Sequence, residues 1–396
     1  SAVEIYQRLS VANPQVYEPD LAMTQNNLGN LYRDTQRYKE SEEMYLSVLT
    51  VYQRLTIANP QVYELDLART QNNLGNLYRD TRRYEDSEKM HLSAVEIYQR
   101  LSVANPQVYE PDLAMVQNNL GLLYSDIQRY EDSEKMHLSA VEIYRRLAAA
   151  NPQVYEPDLA ETQNDLGILY SDTRRYEESE EMYLSAMEIR RRLAVANPQV
   201  YEPGLARTQY NLGCLYSDTR RYEESEKMYL SAMEIRRRLA VANPQVYEPD
   251  LADTQYNLGC LYYNIQRYEE SGEMYLSALK VYQRLTVADP QVYEPYLVRA
   301  CNNLSFLFLA QGNFEEAERY AREGAKYDST HHTIYTNLAA SLLFQGRYAE
   351  AEEIYLRYKE ELKEDFLSDF EDFYQRGIIP PEREDDVERI KKLLSK

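Results

Sequence analysis

The chain of 396 residues contains no tryptophan, three cysteines and four histidines. Three cysteines cannot form a framework of paired disulfides, and unpaired cysteines are typical of a reducing compartment. A cytoplasmic location is therefore expected. No stretch approaches the roughly 18 consecutive apolar residues that a membrane-spanning helix needs. The sequence thus predicts no membrane partner.

Positive charge is also scarce. The chain has 44 lysines and arginines against 65 aspartates and glutamates, which gives a net charge of −21. Proteins that bind nucleic acid or an anionic membrane surface usually present a basic patch. This balance argues against both as the main partner and leaves basic or neutral proteins.

Repetition is what the sequence has in abundance. An Asn-Pro or Asp-Pro dipeptide recurs every 46 residues. Its first residues are Asn13, Asn59, Asn105, Asn151, Asn197, Asn243 and Asp289. A fixed period of this length predicts an array of repeated units. Ser1 aligns with Ser47 and Ser93, in the middle of a unit, so we expect the chain to be a fragment of a longer protein.

Each period carries two helical patterns. The first is predicted from about Pro19 to Gln36, because proline suits the first position of a helix. Its apolar face recurs at steps of four, three and four residues, at Leu21, Gln25, Leu28 and Tyr32. Gly29 lacks a side chain, so a partner helix can approach closely. The segment "NPQVYEP", which ends at Pro19, is expected to be an ordered loop that packs through Val16 and Tyr17.

The second helix is predicted from about Lys39 to Ile57. Acidic residues open it. In the fifth copy Arg236, Arg237 and Arg238 lie towards its end, where they match the helix dipole. Ordering each residue costs roughly 1–2 kcal/mol, and a lone hairpin leaves much of its apolar surface in water. The hairpins are therefore expected to stack.

The segments "QNNLGNLY" and "RYKESEEMYLSV" resemble the tetratricopeptide repeat. Leu28, Gly29 and Tyr32 match its first helix, Tyr45 holds the aromatic place of the second helix, and Ser41 replaces the usual alanine. Gln25 stands where that family commonly has tryptophan. The resemblance covers residues 1–363 and implies an all-α fold, a right-handed α-solenoid or superhelix of helix hairpins.

The usual tetratricopeptide period is 34 residues, and Leu304 and Leu338 have that spacing. The longer copies are similar to those of kinesin light chain. The predicted organisation is the second helix of a truncated repeat (1–16), six extended repeats (17–292), two repeats of the 34-residue type (293–363) and C-terminal capping helices (364–396).

The copies differ along one stripe of the first helix. The positions of Met23, Asn26, Asn30 and Arg33 vary, and their spacing places them on one helix face. We call this face the variable stripe. Its predicted specificity positions are Asn30, Arg33, Asn76, Arg79, Leu122, Ile168, Tyr210, Cys214, Tyr256, Cys260, Tyr263 and Phe306.

The variable stripe changes from polar and partly basic to aromatic and apolar along the chain. Random drift of an exposed face is one explanation, but drift would favour polar residues, whereas exposed apolar patches usually mark binding. The resemblance places the first helices along a concave groove. We therefore expect the groove to recognise a protein or peptide partner, with an apolar pocket near Tyr210, Tyr256, Tyr263 and Phe306.

A nearly constant series runs beside the stripe, and we call it the asparagine ladder. Its members are Asn27, Asn73, Asn119, Asp165, Asn211, Asn257, Asn303 and Asn337. The resemblance implies that these side chains hold the main chain of a peptide ligand. An amide can do so because it both donates and accepts. The alternative is that the amides bond neighbouring helices within the scaffold. Asp165 lacks a donor, so poorer pairing is expected there.

Little in the sequence indicates chemistry. His91 and His137 stand where Tyr45 stands in its repeat, so we expect them to pack in its place. His331 and His332 are expected on the surface or in the cap. The histidines are too scattered for a metal cluster, and no phosphate-binding loop or Gly-x-Ser-x-Gly motif is present. Neither a metal, a cofactor nor enzymatic activity is expected.

These features predict a non-catalytic scaffold that binds a protein or peptide segment in the groove. An alternative is the sensor or regulatory region of a larger signalling ATPase or protease, with its catalytic domain upstream of Ser1. A third is a structural role with self-association through an uncapped N-terminal hairpin.

Overall fold

A computed structural model describes residues 2–327 and 333–395, and within these ranges the chain is helical, without β-strands. In chain order the α-helices are α1 (Ala2–Ala12), α2 (Pro14–Asp34), α3 (Tyr38–Ala58), α4 (Pro60–Asp80), α5 (Tyr84–Ala104), α6 (Pro106–Asp126), α7 (Tyr130–Ala150), α8 (Pro152–Asp172), α9 (Tyr176–Ala196), α10 (Pro198–Asp218), α11 (Tyr222–Ala242), α12 (Pro244–Asn264), α13 (Tyr268–Ala288), α14 (Pro290–Ala310), α15 (Phe314–Ala325), α16 (Ile334–Phe344), α17 (Tyr348–Arg357), α18 (Lys359–Gln375) and α19 (Glu384–Ser395). A short 3₁₀ helix, Pro381–Arg383, precedes α19. The prediction of an all-α array of consecutive helix hairpins is confirmed.

The first helix of each extended hairpin begins earlier than predicted. Helix α2 starts at Pro14, with Asn13 as its N-terminal flanking residue, and Pro19 lies inside the helix. The predicted loop is therefore wrong, because "NPQVYEP" forms the helix start. A proline near a helix start removes one backbone hydrogen bond but leaves the helix intact here. Val16 is 54% exposed, whereas Tyr63, the counterpart of Tyr17, packs against the core.

A left-handed residue closes each first helix. Gln36 has φ of 57°, and the N–H of Arg37 donates to the carbonyl of Tyr32 at 2.7 Å. This geometry satisfies carbonyls at the helix end and reverses the chain. The extended hairpins place glutamine or arginine at the left-handed position, whereas the two shorter hairpins use Gly312 and Gly346.

The two helices of a hairpin touch at the glycine of the first helix. A Cβ atom at Gly29 would lie 2.7 Å from Cε1 of Tyr45, and the Ser41 hydroxyl donates to the Gly29 carbonyl at 2.8 Å. The same serine-to-glycine bond recurs in the other extended hairpins, from Ser87, Ser133, Ser179, Ser225 and Ser271. The predicted close approach at this glycine is confirmed.

The chain divides into two compact units, Ser1–Gly204 (unit 1) and Leu205–Lys396 (unit 2). The core of unit 1 is a continuous cluster of leucine, alanine, valine and tyrosine side chains from successive helices. In unit 2, α18 closes the last hairpin with Phe366, Phe370 and Phe373, each 1% exposed. Of the helices in the described ranges, none is long and apolar enough to cross a membrane.

Candidate ligand-binding surface on the first helices

The asparagine ladder bridges successive hairpins. The Nδ2 group of Asn73 donates to Oδ1 of Asn26 at 3.2 Å, and Asn119 donates in the same way to Asn72 at 3.0 Å. In each case the acceptor belongs to the variable stripe of the preceding first helix. The alternative noted from sequence, bonding between neighbouring helices, is thus present in unit 1.

Unit 2 keeps this pattern with different acceptors. Asn257 donates to the Tyr210 hydroxyl at 2.6 Å, and Asn303 donates to the Tyr256 hydroxyl at 2.7 Å. Asn337 donates to the backbone carbonyl and Oδ1 of Asn302, at 3.1 Å and 2.9 Å. The ladder therefore holds first helices in register whether the acceptor is an amide or a phenol.

The rung at Asp165 reverses its direction. Asn118 donates from Nδ2 to Oδ2 of Asp165 at 2.9 Å. Within the scaffold this rung is paired, because Asn118 on the preceding first helix supplies the donor that aspartate lacks. Poorer pairing of Asp165 with the main chain of a ligand stays a prediction. A hydrogen bond to a carboxylate is also stronger than one between two amides.

The ladder residues differ in exposure. Asn27 is exposed, while Asp165 and Asn337 are buried. The half-buried members are Asn73, Asn119, Asn211, Asn257 and Asn303. An amide has two N–H donors and a carbonyl acceptor, so the bond that Asn73 and Asn119 each donate to the scaffold leaves capacity at these two amides.

The polar part of the variable stripe lies in unit 1, and its charges are paired. Nε of Arg33 is 3.8 Å from the Asp80 carboxylate, and Nε of Arg79 is 2.9 Å from the Asp126 carboxylate. Each arginine is thus neutralised by the next first helix. The predicted basic character of this end is offset by these acids.

Other stripe residues of unit 1 are more open. Asn30 accepts a hydrogen bond from the Tyr45 hydroxyl at 2.6 Å, and Asn76 and Leu122 are half-buried. Ile168 is 37% exposed, as is Met115 on the neighbouring first helix α6. Apolar side chains therefore reach solvent on the first-helix face of unit 1.

The stripe of unit 2 is packed by its own second helices. The ring of Tyr210 lies 5.9 Å from that of Tyr229, and the ring of Tyr256 lies 5.6 Å from that of Tyr275. Tyr256 is only 7% exposed. In each pair the two tyrosine rings pack against each other between the first and second helices of the hairpin, so they stabilise the scaffold directly.

The two cysteines of the variable stripe, Cys214 and Cys260, lie next to the packed tyrosines of unit 2. The Tyr229 hydroxyl donates to Sγ of Cys214 at 3.3 Å, and Nδ2 of Asn303 lies 3.7 Å from Sγ of Cys260. Burial raises the pKa of both thiols. They remain protonated at neutral pH and are poor nucleophiles.

The aromatic end of the stripe is covered by α18. The Phe306 ring lies 5.8 Å from Tyr263 and 5.9 Å from Phe373 of α18. Nη1 of Arg376 donates to the Tyr263 hydroxyl at 2.8 Å. The predicted apolar pocket is thus filled by rings of the same unit, and Tyr263 and Phe306 face the C-terminal helix.

The sequence analysis did not predict that two arginines are buried. Arg190 is 4% exposed and Arg236 is 5% exposed, where earlier copies place Tyr52, Tyr98 and Tyr144. The assignment of Arg236 to the helix dipole is wrong, because its side chain turns inward. That tyrosine series was the available signal that the position is buried.

Arg236 is held beside the stripe. It donates from Nη1 to the Asp250 carbonyl at 2.9 Å and to the Thr254 hydroxyl at 2.6 Å, and its guanidinium lies 4.7 Å from the centre of the Tyr210 ring. Burial lowers its pKa. The contact adds a cation–π interaction to the aromatic packing of unit 2.

The histidines of unit 1 occupy the place of Tyr45. His91 and His137 are fully buried, beneath Gly75 and Gly121, so the prediction that they pack there is confirmed. Burial lowers the pKa of His91 to about 3 and that of His137 to about 4. His331 and His332 lie outside the described residues. Within residues 2–327 and 333–395, no three His, Cys, Asp or Glu residues cluster to hold a metal ion.

Stacked hairpins with a repeated face on their first helices define an α-helical repeat protein of the solenoid class. Three family models of the tetratricopeptide repeat match between them most of the chain, at residues 21–56, 66–146, 112–192, 158–238, 251–290 and 308–367. The chain belongs to the tetratricopeptide repeat family.

Solved structures of known proteins share this fold. The apo form of RapI has a TM-score of 0.60 and 16% identity, over 95% of this chain and 97% of that one. The apo form of the quorum sensor NprR from B. thuringiensis has a TM-score of 0.51 and 15% identity, over 92% of this chain and 99% of that one. At these identities the likeness shows the fold alone.

A third neighbour is a larger protein. It is a signal transduction ATPase with numerous domains and a tetratricopeptide repeat sensor, from Pyrococcus horikoshii. The TM-score is 0.61 and the identity 17%, over 93% of this chain and 54% of that one. A search of curated proteins finds no significant match.

Proposed function

We propose that the chain is a non-catalytic scaffold that binds a peptide or protein segment along the first-helix face of unit 1. The observation that carries the proposal is the exposure of apolar stripe residues there. Met23 is 55% exposed, and Met115 and Ile168 are each 37% exposed. Beside them, Asn73 and Asn119 are half-buried amides with hydrogen-bonding capacity left for a ligand.

The spacing of the ladder suits an extended ligand. Packed helices lie about 8–10 Å apart, and an extended peptide rises about 3.3 Å per residue, so one rung serves roughly three ligand residues. Each neutral hydrogen bond contributes only about 0.5–1.5 kcal/mol. Affinity therefore depends on several rungs together with apolar contacts at Met115 and Ile168.

The bound segment would stop before the aromatic end of the stripe. Tyr263 and Phe306 contact Arg376 and Phe373 of α18. These two side chains therefore help to hold the C-terminal cap. The proposed binding face therefore comprises the first helices of unit 1.

All three cysteines are free thiols, and we place the chain in a reducing, cytoplasmic compartment on that basis.

The test compares two variants of equal chemical change. M115S/I168S alters the first helices α6 and α8, and L138S/L184S alters the second helices α7 and α9, where the leucines are 45% and 41% exposed. Partners captured by the intact chain are identified by mass spectrometry, and a purified partner is then titrated. We expect M115S/I168S to weaken binding at least tenfold and L138S/L184S to leave it unchanged. Equal affinities of all three chains would refute the proposal.

The sensor alternative concerns a longer gene product. The Pyrococcus horikoshii neighbour is described as an ATPase with a tetratricopeptide repeat sensor, and this chain covers 54% of it. Under this alternative the same first-helix face would bind the signal that controls a catalytic domain. A nucleotide-binding or protease motif encoded before residue 1 would favour it, and an upstream region consisting of further repeats would count against it.

A further inference from the structure

A second surface of unit 1 lies at the corners where each second helix ends and the next first helix begins. The corner from Thr56 to Tyr63 is a run of uncharged residues. Ile57 is 86% exposed there, and Val62 is 53% exposed. The corresponding exposed residues of the other corners are Val11, Val16, Val103, Val108, Ala149, Val154, Val195 and Val200. We call this series the corner ridge.

Ion pairs join each corner to the next. Arg100 lies 2.9 Å from Glu64, and because Glu64 follows Val62 while Arg100 precedes Val103, the pair draws these corners together. The equivalent pairs are Arg54–Glu18, Arg146–Glu110 and Arg192–Glu156. The two charges of each pair cancel, and an aspartate follows each paired glutamate by two residues, as Asp66 follows Glu64. The exposed residues of the corner ridge are themselves uncharged.

The turn within each hairpin, at the other end of its helices, is different. Between α4 and α5 the chain reads "DTRRYED", with five charged residues in seven positions. The whole chain carries a net charge of −21, so most faces would repel another copy. The residues of the corner ridge carry no charge. Single exposed apolar residues are ordinary, whereas a contiguous apolar patch usually marks an interaction surface.

We propose that the corner ridge of unit 1 binds the corner ridge of a second copy of the chain. Two copies can approach there because the ridge residues are uncharged and the glutamates beside them are paired with arginines. Two copies also share one period, so the projecting side chains of one ridge can lie between those of the other in an antiparallel, two-fold arrangement. A stable interface buries about 800 Å² per partner, which one corner cannot supply and several successive corners can. The corner ridge adjoins the first-helix face at Val62, which lies seven residues before the stripe position of Arg69 on the same helix face, whereas Ile57 and Val103 lie on the second helices α3 and α5.

The test measures the mass of the full chain by light scattering from about 1 to about 100 μM, the usual range for moderate association. We expect the wild type to move from 46.6 kDa towards twice that mass. We expect I57E/V103E to stay at the monomer mass, because it places carboxylates on the ridge at residues 86% exposed. The control L46E/L92E adds the same charge at apolar residues 42% and 46% exposed on the same helices, about three turns from the corner, and it should associate like the wild type.

Other outcomes overturn the proposal. A wild type that stays monomeric over the whole range does so, as does an I57E/V103E variant that still dimerises. Loss of the dimer in I5E, with Ile5 on α1 50% exposed, but not in I57E/V103E, would assign association to the N-terminal hairpin. A monomeric wild type that binds neutral phosphatidylcholine vesicles would assign the ridge to lipid. Far-UV circular dichroism confirms that each variant is folded.

Discussion

Unit 1 differs from unit 2 in that two of its hairpins carry histidine beneath the first-helix glycine. Gly75 and Gly121 rest on His91 and His137, whereas the other extended hairpins have tyrosine there, at Tyr45 and Tyr183 in unit 1 and at Tyr229 and Tyr275 in unit 2. A tyrosine reaches the stripe position of Asn30, as the Tyr229 hydroxyl does at Cys214. A histidine is shorter, and His137 contacts a different stripe residue, Asn118, at Oδ1 and 2.8 Å.

The two units also differ in the stripe residues themselves. In unit 2, Tyr210 and Tyr256 pack on the tyrosines beneath the glycines, so the stripe is aromatic and closed. In unit 1, Asn76 and Leu122 are half-buried, and Met115 and Ile168 are exposed, although Gly167 beside Ile168 rests on Tyr183. The same fold thus supports a stripe that stabilises the hairpins in unit 2 and a stripe that reaches solvent in unit 1.

The largest expected loss of stability comes from removing the aromatic side chain that packs beneath the first-helix glycine. Tyr229→Ala should cost about 3–5 kcal/mol, as for other large-to-alanine changes in a core, while His91→Ala should cost less because it removes a smaller ring. Hydrogen exchange measured unit by unit checks this, since arrays of repeats need not unfold in one step. Tyr374→Ala, at a side chain 69% exposed, is the control. Equal losses for Tyr229 and Tyr374 would contradict the packing described.

Acid should destabilise unit 1 through its buried histidines. Their folded pKa values of about 3 and about 4 lie below the unfolded value near 6.5, so the unfolded chain takes up protons first as the pH falls. Stability is complete above pH 6.5 and is lost progressively below it. At pH 5 the loss is about 2 kcal/mol per histidine, from 1.36 kcal/mol per pH unit.

The matched variant for this prediction is H91Y/H137Y, which places at these two positions the tyrosine that the other extended hairpins have. Denaturant unfolding followed at pH 7 and pH 5 should show a smaller acid loss in this variant than in the wild type. The reciprocal change Tyr229→His should introduce acid sensitivity into unit 2. An identical pH dependence of wild type and H91Y/H137Y would show that other groups cause the acid loss.

The ladder gives a smaller, graded effect. Asn118→Leu removes a hydrogen bond to the Asp165 carboxylate and another with His137 in unit 1, and it should cost at least about 1.5–3 kcal/mol. Tyr210→Phe removes a neutral rung of unit 2 and keeps the ring, so about 0.5–1.5 kcal/mol is expected. Thermal unfolding of both variants ranks the two rungs. A larger loss for Tyr210→Phe would mean that the carboxylate rung is not the stronger one.

The smallest effect is expected at the charged pairs of the stripe. Asp126→Ala breaks its pair with Arg79, and partly exposed pairs contribute less than about 1 kcal/mol. The loss should shrink at high salt, which screens exposed charges. Comparing wild type and variant at low and high salt checks this. A loss that is independent of salt would point to packing of Asp126 rather than its charge.

Sequence reasoning found the features that depend on periodicity. The hairpins, the close approach at Gly29 and the packing of His91 all follow from positions repeated in each copy. The start of the first helix was missed because Pro19 resembles a helix start. Leu65, in the place of Pro19 in the second copy, was the signal that the position is helical, since leucine has no preference for a first turn.

Contacts between distant segments could not be predicted in this way. The partner of each ladder amide depends on the lateral offset of neighbouring first helices, which a 46-residue period does not specify. The packing of Arg376 on Tyr263 joins residues 113 positions apart. No local pattern around either residue indicates that α18 covers the end of the stripe.

Oxidative footprinting of methionine in the complex with a purified partner is the most direct test of the first-helix binding face. Met23 and Met115 lie on that face, and Met90 and Met136 are half-buried on second helices. The proposed function predicts that the partner slows oxidation of Met23 and Met115 and leaves Met90 and Met136 unchanged. Protection of the second-helix methionines alone would contradict it.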